Sequence, residues 1–401
     1  MSGPLTGRRV VLGVSGSIAA YKAAEVASRL VQAGAEVDVA MTRAATEFIT
    51  PLTFRSLTSR EPYVDLFSAY GEGEAHVELA RRADLMLIAP ATASTMARLA
   101  QGFADDFVSL TALATQAPML IAPAMDSQMW EHEATRGNRY TLEGRGVILV
   151  GPVPGRLASG RIGGGRMVEP ATIVDAVKQR LGRARGDLGA VRIVVTAGGT
   201  REALDPVRYL GNHSSGKMGY AIAEAARDRG ADVALITTAA LPDPYGVRVL
   251  RVESALEMQG ALETECASAR AVIMAGAVAD YSPAEASEQK IKRAHSAELS
   301  IDLVENPDLI ASVSGNFVKV AFAAETENLL ANAAAKLEKK GAQLIVANDV
   351  TATDAGFGTE TNRVTILDRD GGADELPLLS KYEVADRLLD RLGPLLAELE
   401  E

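Results

Sequence analysis

VTAGGTREALDPVRYLGNHSSGKMG, from Val195 to Gly219, is the most specific segment in the chain. Gly211, four residues, then Gly216 and Lys217 imitate a P-loop, in which backbone N–H groups and a lysine hold phosphates. The Ser or Thr that should follow to bind Mg2+ is Met218, and Asp205 and Pro206 interrupt the required strand-to-helix turn. A Walker site is therefore rejected. A second glycine-rich turn, GVSGSIAAYK (Gly13 to Lys22), joins a strand end to a helix start, where free N–H groups and the helix dipole favour a phosphate. Its spacing is GxxGxxA rather than GxGxxG, so alone it fits either a phosphate site or tight packing of strand on helix. Lys336 and Lys340 stand at i and i+4, on one helix face, and can reach one phosphate chain. Taken alone, AAAKLEKKG and KIKR (Lys290 to Arg293) are equally well solvated charge, and a lone His76 is a structural histidine. His132, His213 and His295 share no metal-ligand spacing, and one cysteine makes structural zinc untenable. Cys266, in an Ala- and Glu-rich helix, reads as a structural thiol.

These residues need elements to position them, and the elements alternate. RVVLG (Arg9 to Gly13) is a short apolar strand; IAAYKAAEVASRLVQAG has helical periodicity and ends on Gly34; AEVDVAMT is the next strand. DLMLIAP, the helical ATASTMARLAQG and the buried strand PMLIAPAM follow. The pattern restarts at VRIVVTA (Val191 to Ala197), with GGT, a helix ending on Gly230, and ADVALIT. AVIMAGA, VKVAFAA and QLIVAND are later strands, NLLANAAAKLEKKG a helix between the last two, and YEVADRLLDRLGPLLAEL a closing amphipathic helix. This order predicts an α/β fold of two Rossmann-like domains, each a largely parallel sheet flanked by helices. The polar, Gly-rich LGRARGDLGA places the division: domain one 1–182, linker 183–190, domain two 191–401.

GSIAAYK at Gly16, MTRAATEFI at Met41, His76 before an apolar patch, APATASTMARLAQGFADD at Ala89 and PAMDSQMW at Pro123 occur in order. Together they resemble the homo-oligomeric, flavin-containing cysteine decarboxylases over about residues 8 to 175. The resemblance implies an FMN-binding flavodomain, with Gly16, Ser17, Thr42, Ala91, Ser94, Thr95 and Met125 at the cofactor and His76 as base. An unperturbed imidazole, with pKa about 6.5, suits that task. Flavin oxidation of a thiol makes the electron sink that loss of CO2 from a cysteine carboxylate requires. Two positions depart from the family pattern. Asp126 stands where PxMN carries an Asn thought to bind the substrate carboxylate, and Ser159, in GRLASGRIGGGRM, stands where the coenzyme A branch carries the Cys of LACG. A carboxylate at 126 repels a substrate carboxylate and has no donor unless protonated, and a hydroxyl is a far weaker acid than a thiol. The GGG run with Arg161 and Arg166 suits a mobile loop closing on a phosphorylated substrate.

From about residue 190 to 390 the chain resembles the phosphopantothenate–cysteine ligases, through DPVRYLGNHSSGKMG, AVADYSP, KIKR, ENPDL, AFAAET, AKLEKKGAQLIVANDV and GFGTETN. The resemblance implies a CTP-dependent ligase domain and attack of phosphopantothenate on CTP to give an acyl-cytidylate, which cysteine's amine then opens. By motif, Asn212 holds the acyl-cytidylate, while Ser214, Asp280 and Met274, Ala275 and Gly276 contact the nucleotide. Lys290 meets the triphosphate, with Mg2+ bridging its oxygens, and Asn306, Pro307, Asp308, Leu309, Phe322, Lys336 and Lys340 complete the pocket. Arg208 falls in a segment that in the family lies near a dimer interface.

The combined reading is a bifunctional enzyme of coenzyme A biosynthesis. It takes 4′-phosphopantothenate, cysteine and CTP, and makes phosphopantothenoylcysteine on the way to 4′-phosphopantetheine. The competing reading, motivated by Asp126 and Ser159, is an active ligase with a non-catalytic FMN-binding scaffold. A Rossmann oxidoreductase lacks its GxGxxG. A net charge of −11 argues against a nucleic-acid surface. No apolar run of about 18 residues and no signal-like start point to a cytoplasmic protein without membrane spans. A homo-oligomer, with flavodomain trimers joined through ligase dimers, is the implied assembly.

Overall fold

The computed structural model describes residues 4–66, 75–189, 191–292, 299–325, 329–349 and 358–399. His295, Arg293 of KIKR, Thr326 of AFAAET and the start of GFGTETN fall outside them. The chain forms two compact units that divide between Leu181 and Gly182.

In the first unit, β1 (Arg9–Val14), β2 (Glu36–Met41), β3 (Leu85–Ala91), β4 (Met119–Pro123) and β5 (Ile148–Leu149) form one sheet in the order β2-β1-β3-β4-β5. Every pairing in it is parallel. RVVLGV and LMLIAPA are near-continuous apolar runs because both faces of such a sheet are covered. The flanking helices are α1 (Ala20–Gln32), α2 (Pro51–Thr58), α3 (Ala75–Arg82), α4 (Ala93–Gln101), α5 (Phe107–Ala114), α6 (Ser127–Glu131) and α7 (Glu133–Gly144). Gly34, with φ +94°, ends α1 as its position after the periodic run predicts. A hairpin of β6 (Val153–Arg156) and β7 (Ile162–Arg166) folds back beside α6, and α8 (Pro170–Arg185) follows. One face of the sheet packs Val11, Met86, Ile88 and Ile121 against Leu79, Met96 and Val108 from α3, α4 and α5.

The second unit is built on an eight-stranded sheet. Its strands are β8 (Arg192–Ala197), β11 (Asp232–Thr237), β12 (Arg248–Arg251), β13 (Ala271–Met274), β16 (Val318–Glu325), β17 (Leu344–Asp349), β19 (Val364–Asp368) and β20 (Ala373–Glu375). Their order is β12-β11-β8-β13-β16-β17-β19-β20, parallel up to β17 and antiparallel beyond. The remaining strands pair outside it: β9 (Arg201–Ala203) with β10 (Tyr209–Gly211), β14 (Tyr281–Pro283) with β15 (Leu303–Glu305), and β18 (Thr361–Asn362) with β21 (Leu379–Ser380). Side chains alternate along β8. Ile193 and Val195 face α9 (Lys217–Asp228) and α13 (Lys381–Glu398), while Val194 faces α10 (Ala255–Cys266) and α12 (Leu329–Lys340). A short helix, α11 (Leu309–Ser312), completes the unit.

LGRARGDLGA, expected as a linker from its glycines and charge, is helical as far as Arg185. Gly182 and Gly186 press against the carbonyls of Asp228 and Arg229, so they serve close packing rather than freedom of the chain. AVIMAGA is a strand only as far as Met274; the backbone then turns away, and Gly276 N–H donates to Thr196 Oγ1 at 2.9 Å.

Candidate functional site

In the first unit the strand ends carry hydroxyls. β1 runs into Ser15, which is 1% exposed. Ser15 Oγ donates to the Pro90 carbonyl at 2.7 Å and accepts Thr92 N–H at 3.1 Å, tying the end of β1 to the end of β3. Ser17 Oγ accepts Ala19 N–H in the turn before α1. A Cβ on Gly16 would fall 2.6–2.9 Å from Ala44, so this glycine lets the turn touch the short 3-10 helix after β2. Thr42 caps that helix, accepting Ala45 N–H at 3.2 Å. Thr92 caps α4, accepting Thr95 N–H at 3.2 Å. Ala91 and Thr95 are buried; Ser94 is exposed and bonded to Arg98. Six of the predicted flavin residues thus sit at the ends of three adjacent parallel strands, where hydroxyls, N–H groups and the start of α4 fit a phosphate. Ser15 and Thr92 escaped the sequence reading, although Thr92 stands at the helix-capping position that could have revealed it.

The next strand end carries Met125 and Asp126. Met125 N–H donates to the Gly165 carbonyl at 2.9 Å, and Gly165, with φ +115°, brings its backbone against Met125. The hairpin therefore reaches back to the end of β4. Asp126 caps α6, accepting Gln128 N–H at 3.1 Å, and accepts a second bond from Ser159 Oγ at 2.8 Å. That hydroxyl, followed by the N–H, holds the carboxyl below the usual range, against the protonated form that could act as a donor. His76 lies half-buried in the first turn of α3. Lys22, buried on α1, reaches Glu169 at 3.1 Å, and Glu169 also holds Arg166.

In the second unit, a cleft of about 900 Å³ is lined by Met274 of β13, Ala321, Phe322 and Ala323 of β16 and Asn348 of β17. Asn212, Ser214, Met274, Ala275, Gly276, Asp280, Asn306, Pro307, Asp308, Leu309, Phe322, Lys336 and Lys340 all line it. Lys290 does not; it lies exposed on the segment after β14. Glycines let the walls close. A Cβ on Gly216, with φ +76°, would meet Ala239 at 2.5 Å, and one on Gly219 would meet the Thr196 carbonyl at 2.6 Å. Asn212 Nδ2 donates to the Val278 carbonyl at 3.0 Å, and Asn306 Nδ2 to the Ala279 carbonyl at 2.9 Å, so both amides brace the wall that carries Asp280. Lys340 meets both oxygens of Asp308 at 3.2 Å. Lys217, Lys339, Asn348, Asn362 and Lys381 also line the cleft; the first four lie in segments that carry the ligase resemblance but were not assigned to the nucleotide, and Lys381 lies outside those segments.

Arg208 is committed locally. Its guanidinium holds Asp205 at 2.6 and 2.9 Å and the Ile291 carbonyl at 2.6 Å. Burial pushes the Asp205 carboxyl up, but Arg208 and three backbone N–H groups hold it far below the usual range. Beside this pair Val207, Tyr209 and Leu210 are exposed. Among the described residues, no group of three or more His, Cys, Asp or Glu side chains is placed to hold a metal ion, and no helix is long and apolar enough to cross a membrane.

These two sites match two known domain types. Residues 1–182 match the Flavoprotein family model, and residues 188–395 match the model of the DNA/pantothenate metabolism flavoprotein C-terminal domain. The chain belongs to the family of coenzyme A biosynthesis bifunctional proteins CoaBC. It is 45% identical to that of Vibrio cholerae over 96% of this chain and 98% of the relative, and 43% identical to that of Escherichia coli K12 over 97% of each. The solved C-terminal domain of a CoaBC protein aligns over 53% of this chain and 100% of its own length, at 38% identity and a TM-score of 0.46.

Proposed function

We propose that the chain makes 4′-phosphopantetheine in two steps, with residues 191–401 as the CTP-dependent ligase domain and residues 1–182 as the FMN-dependent decarboxylase domain. The observation that carries the ligase reading is the cleft that gathers thirteen motif residues around one volume. In it, the carboxylate of 4′-phosphopantothenate attacks the α-phosphorus of CTP and pyrophosphate leaves. Cysteine's amine then attacks the acyl carbon and CMP leaves. Asn212 orients the acyl-cytidylate, Asp280 and the backbone from Met274 to Gly276 take the cytidine, and Lys336 and Lys340 neutralise phosphate charge. Mg2+ brought with the nucleotide would offset part of its phosphate charge. Lys290 acts on the triphosphate only by movement of its segment or from a neighbouring subunit.

The strand-end hydroxyls of the first unit fit FMN. FMN held there would supply the two-electron oxidation of the substrate thiol, and with it a sink for the electrons left by CO2. His76 accepts the proton released there, and Arg161 and Arg166 offer cations to the phosphorylated end of the substrate. The full-length match to bifunctional relatives supports two working activities rather than a ligase on an inert flavin scaffold. We also assign the protein to the cytoplasm and to a homo-oligomer, flavodomain trimers joined through ligase dimers, with the Val207–Leu210 segment at the dimer contact.

Mass spectrometry of one reaction containing protein, 4′-phosphopantothenate, cysteine, CTP and Mg2+ tests both steps. Appearance of 4′-phosphopantetheine with CMP and pyrophosphate is the expected result. Accumulation of phosphopantothenoylcysteine alone would leave the ligase and remove the decarboxylase; neither product would remove both.

A further inference from the structure

We propose that the end of the cleft formed by Lys217 and Lys381 is a phosphoryl-binding subsite for which the carboxylate of Glu360 is a built-in stand-in. The names of its phosphorylated ligands rest on the ligase reading; the subsite itself does not.

Both lysines line the cleft, from the starts of α9 and α13. Lys381 is 6% exposed, an unusual place for an ammonium group. Its Nζ donates to the Thr361 carbonyl at 3.1 Å and reaches Thr359 Oγ1 at 3.4 Å. Lys217 Nζ donates to the Gly358 carbonyl at 2.9 Å and to a carboxylate oxygen of Glu360. Residues 358–362 thus form a strap held between two cationic side chains, and the Lys381 backbone N–H fixes it again at the Glu360 carbonyl, at 3.0 Å. The charge of Glu360 acts on both lysines. The one carboxylate of Glu360 faces two ammonium groups, whereas at the α12 end Asp308 presents both of its oxygens to Lys340. The Glu360 side chain is 82% exposed, so no packing holds it in place. A phosphoryl group brings up to two charges and three acceptor oxygens to the same two ammonium groups, and can displace an exposed carboxylate at little cost.

The phosphoryl group has two sources: the polyphosphate tail of the nucleotide, or the phosphomonoester of the acid that is activated. Isothermal titration of the full chain with pyrophosphate tests the subsite, and KM values in the ligation assay separate the sources. Glu360→Gln frees Lys217 and should tighten pyrophosphate by about threefold, the scale of an exposed ion pair. Lys381→Gln should weaken it by about tenfold or more. A rise in the CTP KM of Lys381→Gln identifies the polyphosphate tail; a rise in the 4′-phosphopantothenate KM identifies the phosphomonoester. Unchanged pyrophosphate affinity in Glu360→Gln overturns the proposal whatever Lys381→Gln does, and this exposed substitution does not threaten folding. Pyrophosphate binding by a wild-type chain that forms no amide with CTP would keep the subsite and remove the ligase reading.

Discussion

Ser159 donates its hydroxyl proton to Asp126 across 2.8 Å, and these are the two positions at which the flavodomain departs from the Asn and Cys of the decarboxylases it resembles. The departures are therefore one local unit and not two independent losses. The bond explains why Asp126 stays ionised, and Asp126 in turn commits the Ser159 proton. It also ties the turn between β6 and β7 to the start of α6.

Because the two residues share a bond, their substitutions should not add. Asp126→Asn with Ser159→Cys should raise CO2 release by about tenfold, the equivalent of one pKa unit of removed repulsion, and by more than the two single changes combined. Liberated CO2 from phosphopantothenoylcysteine reads this directly. Asp126 titrates below the usual carboxylate range, so it should add no acid limb to the wild-type rate between about pH 5 and 8. A double variant no faster than wild type would remove the account of both positions.

Asn212 holds the Val278 carbonyl at 3.0 Å from the far lip of the cleft. Asn212→Ala leaves the lysines and the backbone from Met274 to Gly276 in place, so CTP should bind within about threefold of wild type. Amide formation should fall by about a hundredfold, as expected for loss of one preorganised polar contact to the reacting acyl group. Calorimetry with CTP and product analysis together decide it; ligation at the wild-type rate would remove Asn212 from the acyl site.

Gly219 lies where α9 crosses the end of β8. A methyl group there would stand 2.5 Å from Ala197 Cβ and 2.6 Å from the Thr196 carbonyl, both parts of the central strand. Neither can yield without moving β8, whose Thr196 also holds Gly276 N–H. Gly219→Ala should therefore cost about 1–3 kcal/mol of stability, the range for overpacking. It should also weaken CTP, because Thr196 holds the N–H of Gly276, which lines the cleft, and must shift with its strand. Denaturant midpoints and CTP titration check the two effects; an unchanged midpoint would show that the helix moves away freely.

Strands such as RVVLGV and LMLIAPA were legible because burial on both faces leaves only apolar residues. Motif residues such as Asn212 and Asp280 were legible as a set, and the cleft brings them together. Other features carried no local signal. Ser15 meets Pro90 through 75 residues of separation, which no periodicity encodes. Lys381 stands one residue before the amphipathic run that begins at Tyr382; only the arrival of residues 358–362 beside it makes it part of a site. The hairpins of β9 with β10 and β14 with β15 are three residues a side, too short for alternation to show. Gly182 and Gly186 look like a flexible linker because sequence does not distinguish a glycine needed for freedom from one needed for contact.

Cys266, the chain's one cysteine, closes α10 in the interior. Burial, helped by the charge of Glu265, pushes its thiol up to about 11. The folded chain thus keeps a proton that the unfolded chain releases near its ordinary value, so this group favours folding at neutral pH and loses that contribution as pH rises through roughly 9 to 11. A shift of about two units leaves roughly a hundredfold less thiolate at pH 8 than in the unfolded chain. Iodoacetamide at pH 8 should therefore add its mass to the native protein at least about a hundredfold more slowly than to the urea-unfolded protein, since burial also blocks access. Equal rates would show that α10 opens readily, and the reading of Cys266 as a structural thiol would fall with them.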